Sequence, residues 1–233
     1  MKKTLFALLA APLLLSAAPK DLVDLQVYPK DARLVTLRAK QQLMVQATYA
    51  DSTTRDVTAL SKYTFTDPKL VKFEDHIIRP VADGETSLKI EFAGRTLTLP
   101  VKVGKATEER PVRFSLDVMP TFTKGGCNAG GCHGASSGKD GFRLSLFGFD
   151  PRSDYQSITR ENLGRRINLA LPNDSLLLEK ATGRVTHTGG KVITAESSLY
   201  KTIVRWLETG APDDPAGTKK VLDLEIYPKQ SVL

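Results

Sequence analysis

Between Leu22 and Val103 apolar and polar residues alternate in short runs. Val23, Leu25 and Val27 alternate ahead of Pro29, and Leu43, Val45 and Ala47 form a second run. Leu88, Ile90 and Phe92 lead into an Ala93-Gly94 turn, and Leu97, Leu99 and Val101 follow it. A period of two puts one face of a strand in a core and the other in water. No helical period of useful length interrupts the series, so it predicts a small antiparallel β-sandwich.

Gly104 to Arg110 is small or charged, Pro111 intervenes, and glycine-rich sequence with helical stretches follows. Phe114, Leu116 and Val118 suggest a short helix before Pro120, and 174–180 suggests another. The pattern is clearest over 195–209, where Leu199, Ile203, Trp206 and Leu207 share a face, Thr194 can cap the start, and Gly210 and Pro212 end the helix. Phe142, Leu144, Leu146 and Phe149 supply an apolar wall. These patterns predict a β domain over 19–104, a linker over 105–112, a second domain over 113–214 and a tail over 215–233.

The tail repeats the opening strand. Leu22-Val23-Asp24-Leu25-Gln26-Val27-Tyr28-Pro29-Lys30 returns as Val221-Leu222-Asp223-Leu224-Glu225-Ile226-Tyr227-Pro228-Lys229. Such a match is an internal repeat and predicts the first strand of a second, truncated sandwich, with an apolar edge unless it docks on a neighbour.

The N-terminus changes the compartment. Lys2 and Lys3 precede an apolar run from Leu5 to Leu15, and Ser16, Ala17 and Ala18 supply small residues for a peptidase, so 1–18 reads as a signal peptide. The run is too short for a transmembrane span, and the mature chain is expected to be exported to the periplasm or the cell surface with no span of its own. Removing Lys2 and Lys3 lowers the formal charge from +7 to about +5. The basic residues are dispersed, which reads as a solvated surface and excludes a nucleic-acid footprint.

Candidate chemistry is concentrated in one loop. The chain has 2 cysteines, in Cys127-Asn128-Ala129-Gly130-Gly131-Cys132, with His133 next. A c-type haem is bound by two cysteine thioethers, with the histidine after the second cysteine on the iron, usually as Cys-x-x-Cys-His. Here the gap is two residues longer, but its small residues let the loop fold back. Two other readings stay open: a structural disulfide, and a zinc site using both cysteines with His133 and His187. For a distal iron ligand, no methionine follows Met119, and His187 is the only later histidine. Arg165 and Arg166 suit haem propionates, and Phe142, Phe147, Phe149 and Trp206 would line the pocket. His76 is expected on the sandwich surface.

Two resemblances add to this reading. Leu25-Gln26-Val27-Tyr28-Pro29, Gln46-Ala47-Thr48-Tyr49-Ala50-Asp51 and Arg55-Asp56-Val57-Thr58 resemble the bacterial immunoglobulin-like domains of group 2. That likeness implies an adhesive or spacer module. Gly125-Gly126-Cys127 through Cys132-His133-Gly134, Gly141-Phe142-Arg143-Leu144-Ser145-Leu146, Gly148-Phe149-Asp150-Pro151, Arg165-Arg166-Ile167 and Trp206-Leu207-Glu208-Thr209-Gly210-Ala211-Pro212 resemble the cytochrome c-like domain of the large planctomycete-type exported proteins. This second likeness implies a mainly α cytochrome c-like domain, haem c on Cys127 and Cys132, and His133 as proximal ligand.

Together these readings predict a multidomain chain: an all-β immunoglobulin-like sandwich, then a mainly α haem domain passing one electron to a redox partner that the residues do not identify. The alternative is a disulfide-containing surface adhesion or scaffold protein without haem, with cell-surface or polysaccharide contacts through the sandwich. No acid–base pair is assignable to a reaction, so a binding or electron-transfer module is expected ahead of an enzyme.

Overall fold

In the computed structural model, residues 21–219 and 221–232 are described; the expected signal peptide lies outside them. The chain divides into two compact units. One runs to Glu109 and takes in the residues from Glu225 onward, and the other is Arg110–Leu224.

Among the described residues the first unit has ten strands: β1 (Leu22–Tyr28), β2 (Ala32–Val35), β3 (Gln41–Gln42), β4 (Met44–Tyr49), β5 (Thr54–Asp56), β6 (Lys62–Phe65), β7 (Val71–Glu74), β8 (Ile77–Pro80), β9 (Gly84–Phe92) and β10 (Arg95–Gly104). They form three sheets, ordered β1-β4-β5, β2-β10-β9-β6 and β3-β8-β7. The alternation read from the sequence lies on β1, β4, β9 and β10. Its inward residues, among them Leu25, Val45, Leu88, Ile90, Leu99 and Val101, make one buried core. The expectation of a purely antiparallel sandwich is corrected by β2, which runs parallel to β10 from Ala32↔Val101 to Val35↔Gly104. Ala93 and Gly94, at φ 46° and 80°, turn β9 into β10, the pair of positive φ values that a tight two-residue hairpin requires.

The second unit is not the mainly α domain that the sequence suggested. Its described residues carry four short α-helices, α1 (Met119–Lys124, 6 residues), α2 (Pro151–Thr159, 9), α3 (Leu176–Thr182, 7) and α4 (Ser198–Glu208, 11), joined by coil, turns and single turns of 3-10 or π helix. With the many-stranded first unit, the described residues are a mixture of strand and helix, and no cytochrome-like helical arrangement is present among them. The physical reason is the glycine-rich sequence from Gly125 to Gly148, which satisfies its backbone through local turns instead of helical ladders.

Helix α4 forms where the apolar stripe predicts it and buries Tyr200, Ile203, Trp206 and Leu207. Its cap is Ser197, whose side chain accepts from Tyr200 N at 3.2 Å, and not Thr194. Helix α2 was missed, although Asp150-Pro151 marks it: the Asp150 carboxylate accepts from Ser153 N at 3.2 Å and proline occupies the first turn. Around Trp206, Phe114, Tyr155, Leu144, Ile158 and Leu178 make a second core.

The repeat behaves differently at its two ends. In β1, Leu25 and Val27 are 4% and 7% exposed; their counterparts Leu224 and Ile226 are 79% and 73% exposed and form no strand. Beyond them Tyr227 stacks on Tyr28 with ring centroids 5.5 Å apart, and Val232 O accepts from Thr54 N at 2.7 Å. The expected strand of a second sandwich is thus an irregular segment.

Candidate functional site

The cysteine loop begins where α1 stops. Cys127 N donates to Phe122 O at 2.9 Å, Cys132 N to Ala129 O at 2.9 Å, and His133 N back to Cys127 O at 3.0 Å. The four intervening residues are therefore taken up in a compact hydrogen-bonded turn. Gly134 makes this closure possible, because a Cβ there would fall 2.1 Å from Asn128 O. Asn128 is fully buried beneath the turn; its amide nitrogen donates to Thr123 Oγ1 at 3.1 Å, and its Oδ1 has no hydrogen-bond partner.

Both cysteines and His133 open onto a cavity of about 260 Å³. Phe122, Phe142, Leu177, Ile193 and Ile203 supply apolar wall, and Arg165, Arg166 and Lys180 lie among the polar lining. His187 reaches the same cavity from the loop between α3 and α4, 54 residues after His133 in the chain. The two imidazole rings lie 6.2 Å apart, centroid to centroid, with planes within 8° of parallel.

Each ring is fixed by a backbone carbonyl. His133 Nδ1 bonds Phe142 O at 2.9 Å, and His187 Nδ1 bonds Gly190 O at 2.8 Å. A carbonyl oxygen only accepts, so each Nδ1 carries a proton, and in the neutral ring the lone pair is on Nε2. Gly189 makes room for the second ring, since a Cβ there would sit 3.0 Å from His187 Cε1. Burial lowers the His133 pKa, with His187 and Arg166 adding to the shift, while the bond to Phe142 and the Asp140 charge oppose it. Burial first, and Cys132 second, push the Cys127 thiol up to about 11, so it is neutral at physiological pH.

The remaining expected residues fall in different places. Arg165 is exposed at the cavity edge. Arg166 is buried, with Nη1 donating to Ser157 O at 2.5 Å and Nη2 to Gly141 O at 2.7 Å, so it is held by the chain's own carbonyls. Of the aromatics, Phe142 lines the cavity, Phe147 and Phe149 face solvent, and Trp206 is in the core with Nε1 donating to Pro212 O at 2.9 Å. Met119 is buried in the core, and His76 packs beside Tyr63 and Phe73 in the first unit.

Sequence reasoning also missed Asp154. It is buried, and its carboxylate accepts from Ser145 N and Ser145 Oγ, both at 2.5 Å, anchoring the chain between Leu144 and Leu146. Burial raises its pKa against the opposing effect of those two bonds. Its position four residues after Asp150, in the first turn of α2, was the available signal.

Among the described residues no three His, Cys, Asp or Glu side chains gather as ligands for a metal ion, and both cysteines are free thiols. The description of this unit as an electron-transferring cytochrome c, drawn from the motif and the family likeness, is corrected: its fold is not the expected one, and no cysteine pair or metal-ligand cluster among the described residues supports it. The same finding leaves the four-ligand zinc reading without a site. No helix among the described residues is long and apolar enough to cross a membrane.

No family model matches the chain, and no curated protein does. Among solved structures it is similar to domains 4 and 5 of the S-layer protein SbsC, at 15% identity and a TM-score of 0.30, over 37% of this chain and 54% of that one. It is also similar to SbsC domains 5–6, at 17% identity and a TM-score of 0.32, over 40% and 48%. The chain thus spans about half the length of each of these fragments. A likeness at this level carries no argument about what the chain does.

Proposed function

We propose that this chain is an exported surface module in which the β-rich unit serves as spacer or scaffold and the second unit presents a cleft for one flat, covalently attached cofactor, haem c. The observation that carries the cofactor is the pair His133 and His187, with parallel rings 6.2 Å apart, both lining the largely apolar cavity that the two thiols also line.

His133 and His187 would hold the iron of such a group, and Cys127 and Cys132 would attach it to the chain. The residues present fit such a group: two Nε2 lone pairs, two unbridged thiols, an apolar wall, and Arg165 at a wet edge for a carboxylate. When bound, the group would supply its redox and ligand chemistry; the chain orients both imidazoles through the carbonyls of Phe142 and Gly190. Arg166, with its donors committed to carbonyls, drops out of the propionate set.

The test is to produce the chain in a host with haem-attachment machinery and record its spectrum and intact mass. A Soret band and a mass gain of one haem, both lost in the Cys127→Ser/Cys132→Ser double variant, are expected. A colourless protein with two alkylatable thiols would sink the cofactor and leave the scaffold reading, a surface protein without haem, standing alone.

A further inference from the structure

We infer that Arg166 is the positioning residue for His133: it holds the Gly141-Phe142 peptide so that the Phe142 carbonyl selects the histidine tautomer presented to the cleft. The inference deepens the cofactor reading, and it concerns a group that acts on His133 through Phe142 and makes no hydrogen bond to the imidazole itself.

The geometry runs through one short segment. The guanidinium is buried, and its two terminal nitrogens reach separate carbonyls: Ser157 O, near the end of α2, and Gly141 O, immediately before Phe142. Its carbon lies 4.5 Å from the centroid of the Phe142 ring. One flat cation therefore holds both the peptide oxygen preceding Phe142 and the side chain of Phe142 itself. With both held, the Phe142 carbonyl has little freedom, and it receives two donors, Lys139 N at 2.9 Å and His133 Nδ1 at 2.9 Å. The Phe142 ring also packs on the imidazole, with centroids 4.6 Å apart.

Three further contacts tie the clamp to the frame. Glu161 Oε2 lies 3.4 Å from Arg166 Nη1, and the same oxygen accepts from Ser157 Oγ at 2.8 Å. The Arg166 carbonyl accepts from Leu177 N at 2.9 Å, at the start of α3. Arg166 thus joins the end of α2, the start of α3 and the peptide behind His133. Lysine cannot replace it, because a single ammonium on a flexible stem has no planar fork to span two carbonyls while stacking on an aromatic ring. The neighbouring Arg165, exposed at the rim, has none of these contacts in common with it.

His187 is an internal control, because its Nδ1 is held by Gly190 O and not by Phe142. The experiment uses cofactor-free full-length protein labelled with ¹⁵N at histidine, read at a pH where both rings are neutral. In the wild type both His133 and His187 should show a protonated Nδ1. In Arg166→Lys and Arg166→Gln, His133 should become a mixture of tautomers while His187 is unchanged and the circular dichroism spectrum is retained. If His133 keeps its protonated Nδ1 in both variants, or if the two histidines change together, the inference is overturned.

Should both variants fail to fold, the wild type still decides. A guanidinium held by two carbonyls gives separate, slowly exchanging Nη resonances for Arg166, and averaged resonances would reject the clamp. Because no haem is used, failure here is distinct from failure of the cofactor reading, which the optical spectrum and intact mass test.

Discussion

At the residue scale the Cys127 thiol makes the most direct prediction. Its ordinary value of 9.0 rises to about 11 in the folded chain, so the unfolded chain loses the proton first as pH rises. Folding therefore binds the proton more tightly; its contribution is fully present below pH 9 and is lost as pH climbs through 11. Two pKa units correspond to ~2–3 kcal/mol. Urea unfolding at pH 8 and pH 11 should reveal a loss of that size in the wild type and a smaller loss in Cys127→Ser. Equal losses would mean that the buried thiol is not responsible. The arrangement around it was half legible beforehand: cysteine spacing and the following histidine identify the loop. The partner of His133 is a backbone carbonyl nine residues away, and backbone carbonyls carry no sequence signature.

At the element scale, α4 separates what periodicity sees from what it does not. Its stripe of Ile203, Trp206 and Leu207 was readable because helical side chains at three- and four-residue spacing share a face. The start was misplaced by three residues, since Thr194 and Ser197 are both good caps by composition. Ser197 Oγ bonds both Tyr200 N and the Thr194 carbonyl, which fixes the choice. Ser197→Ala should cost about 1 kcal/mol, and Thr194→Ala only a few tenths, because Thr194 contributes its backbone alone to that cap. Thermal or urea unfolding of the two variants checks the order, and a larger loss for Thr194→Ala would return the cap to the position first expected.

At the scale of the whole molecule, two separate cores organise the chain, one around Ile90, Leu88 and Val45 and the other around Trp206, Phe114 and Ile158. Trp206 is the single tryptophan, so its fluorescence reports the second core specifically. Trp206 itself cannot be removed without losing the signal, so the comparison is Ile90→Ala with Ile158→Ala, each worth about 2–5 kcal/mol in its own core. Ile158→Ala should lower the fluorescence transition, and Ile90→Ala should lower the β-sheet dichroism transition while moving fluorescence less. Equal shifts of both signals by either variant would show one cooperative unit in place of two.

The sequence alone determined the alternating strands, the amphipathic last helix and the cysteine loop, because each is written in residues close together in the chain. The tertiary structure decided the rest. It turned an expected helical domain into short helices linked by turns, brought His187 within 6.2 Å of His133 from 54 residues away, and took Arg166 from an expected cofactor contact to a buried clamp. The repeated segment shows the reason most clearly. Leu22–Lys30 and 221–229 carry nearly the same side chains, yet the first makes a ladder with β4 from Leu22↔Tyr49 to Tyr28↔Met44 and the second makes none. A strand's hydrogen bonds belong to its neighbour as much as to itself, so local sequence can prepare one but cannot form it.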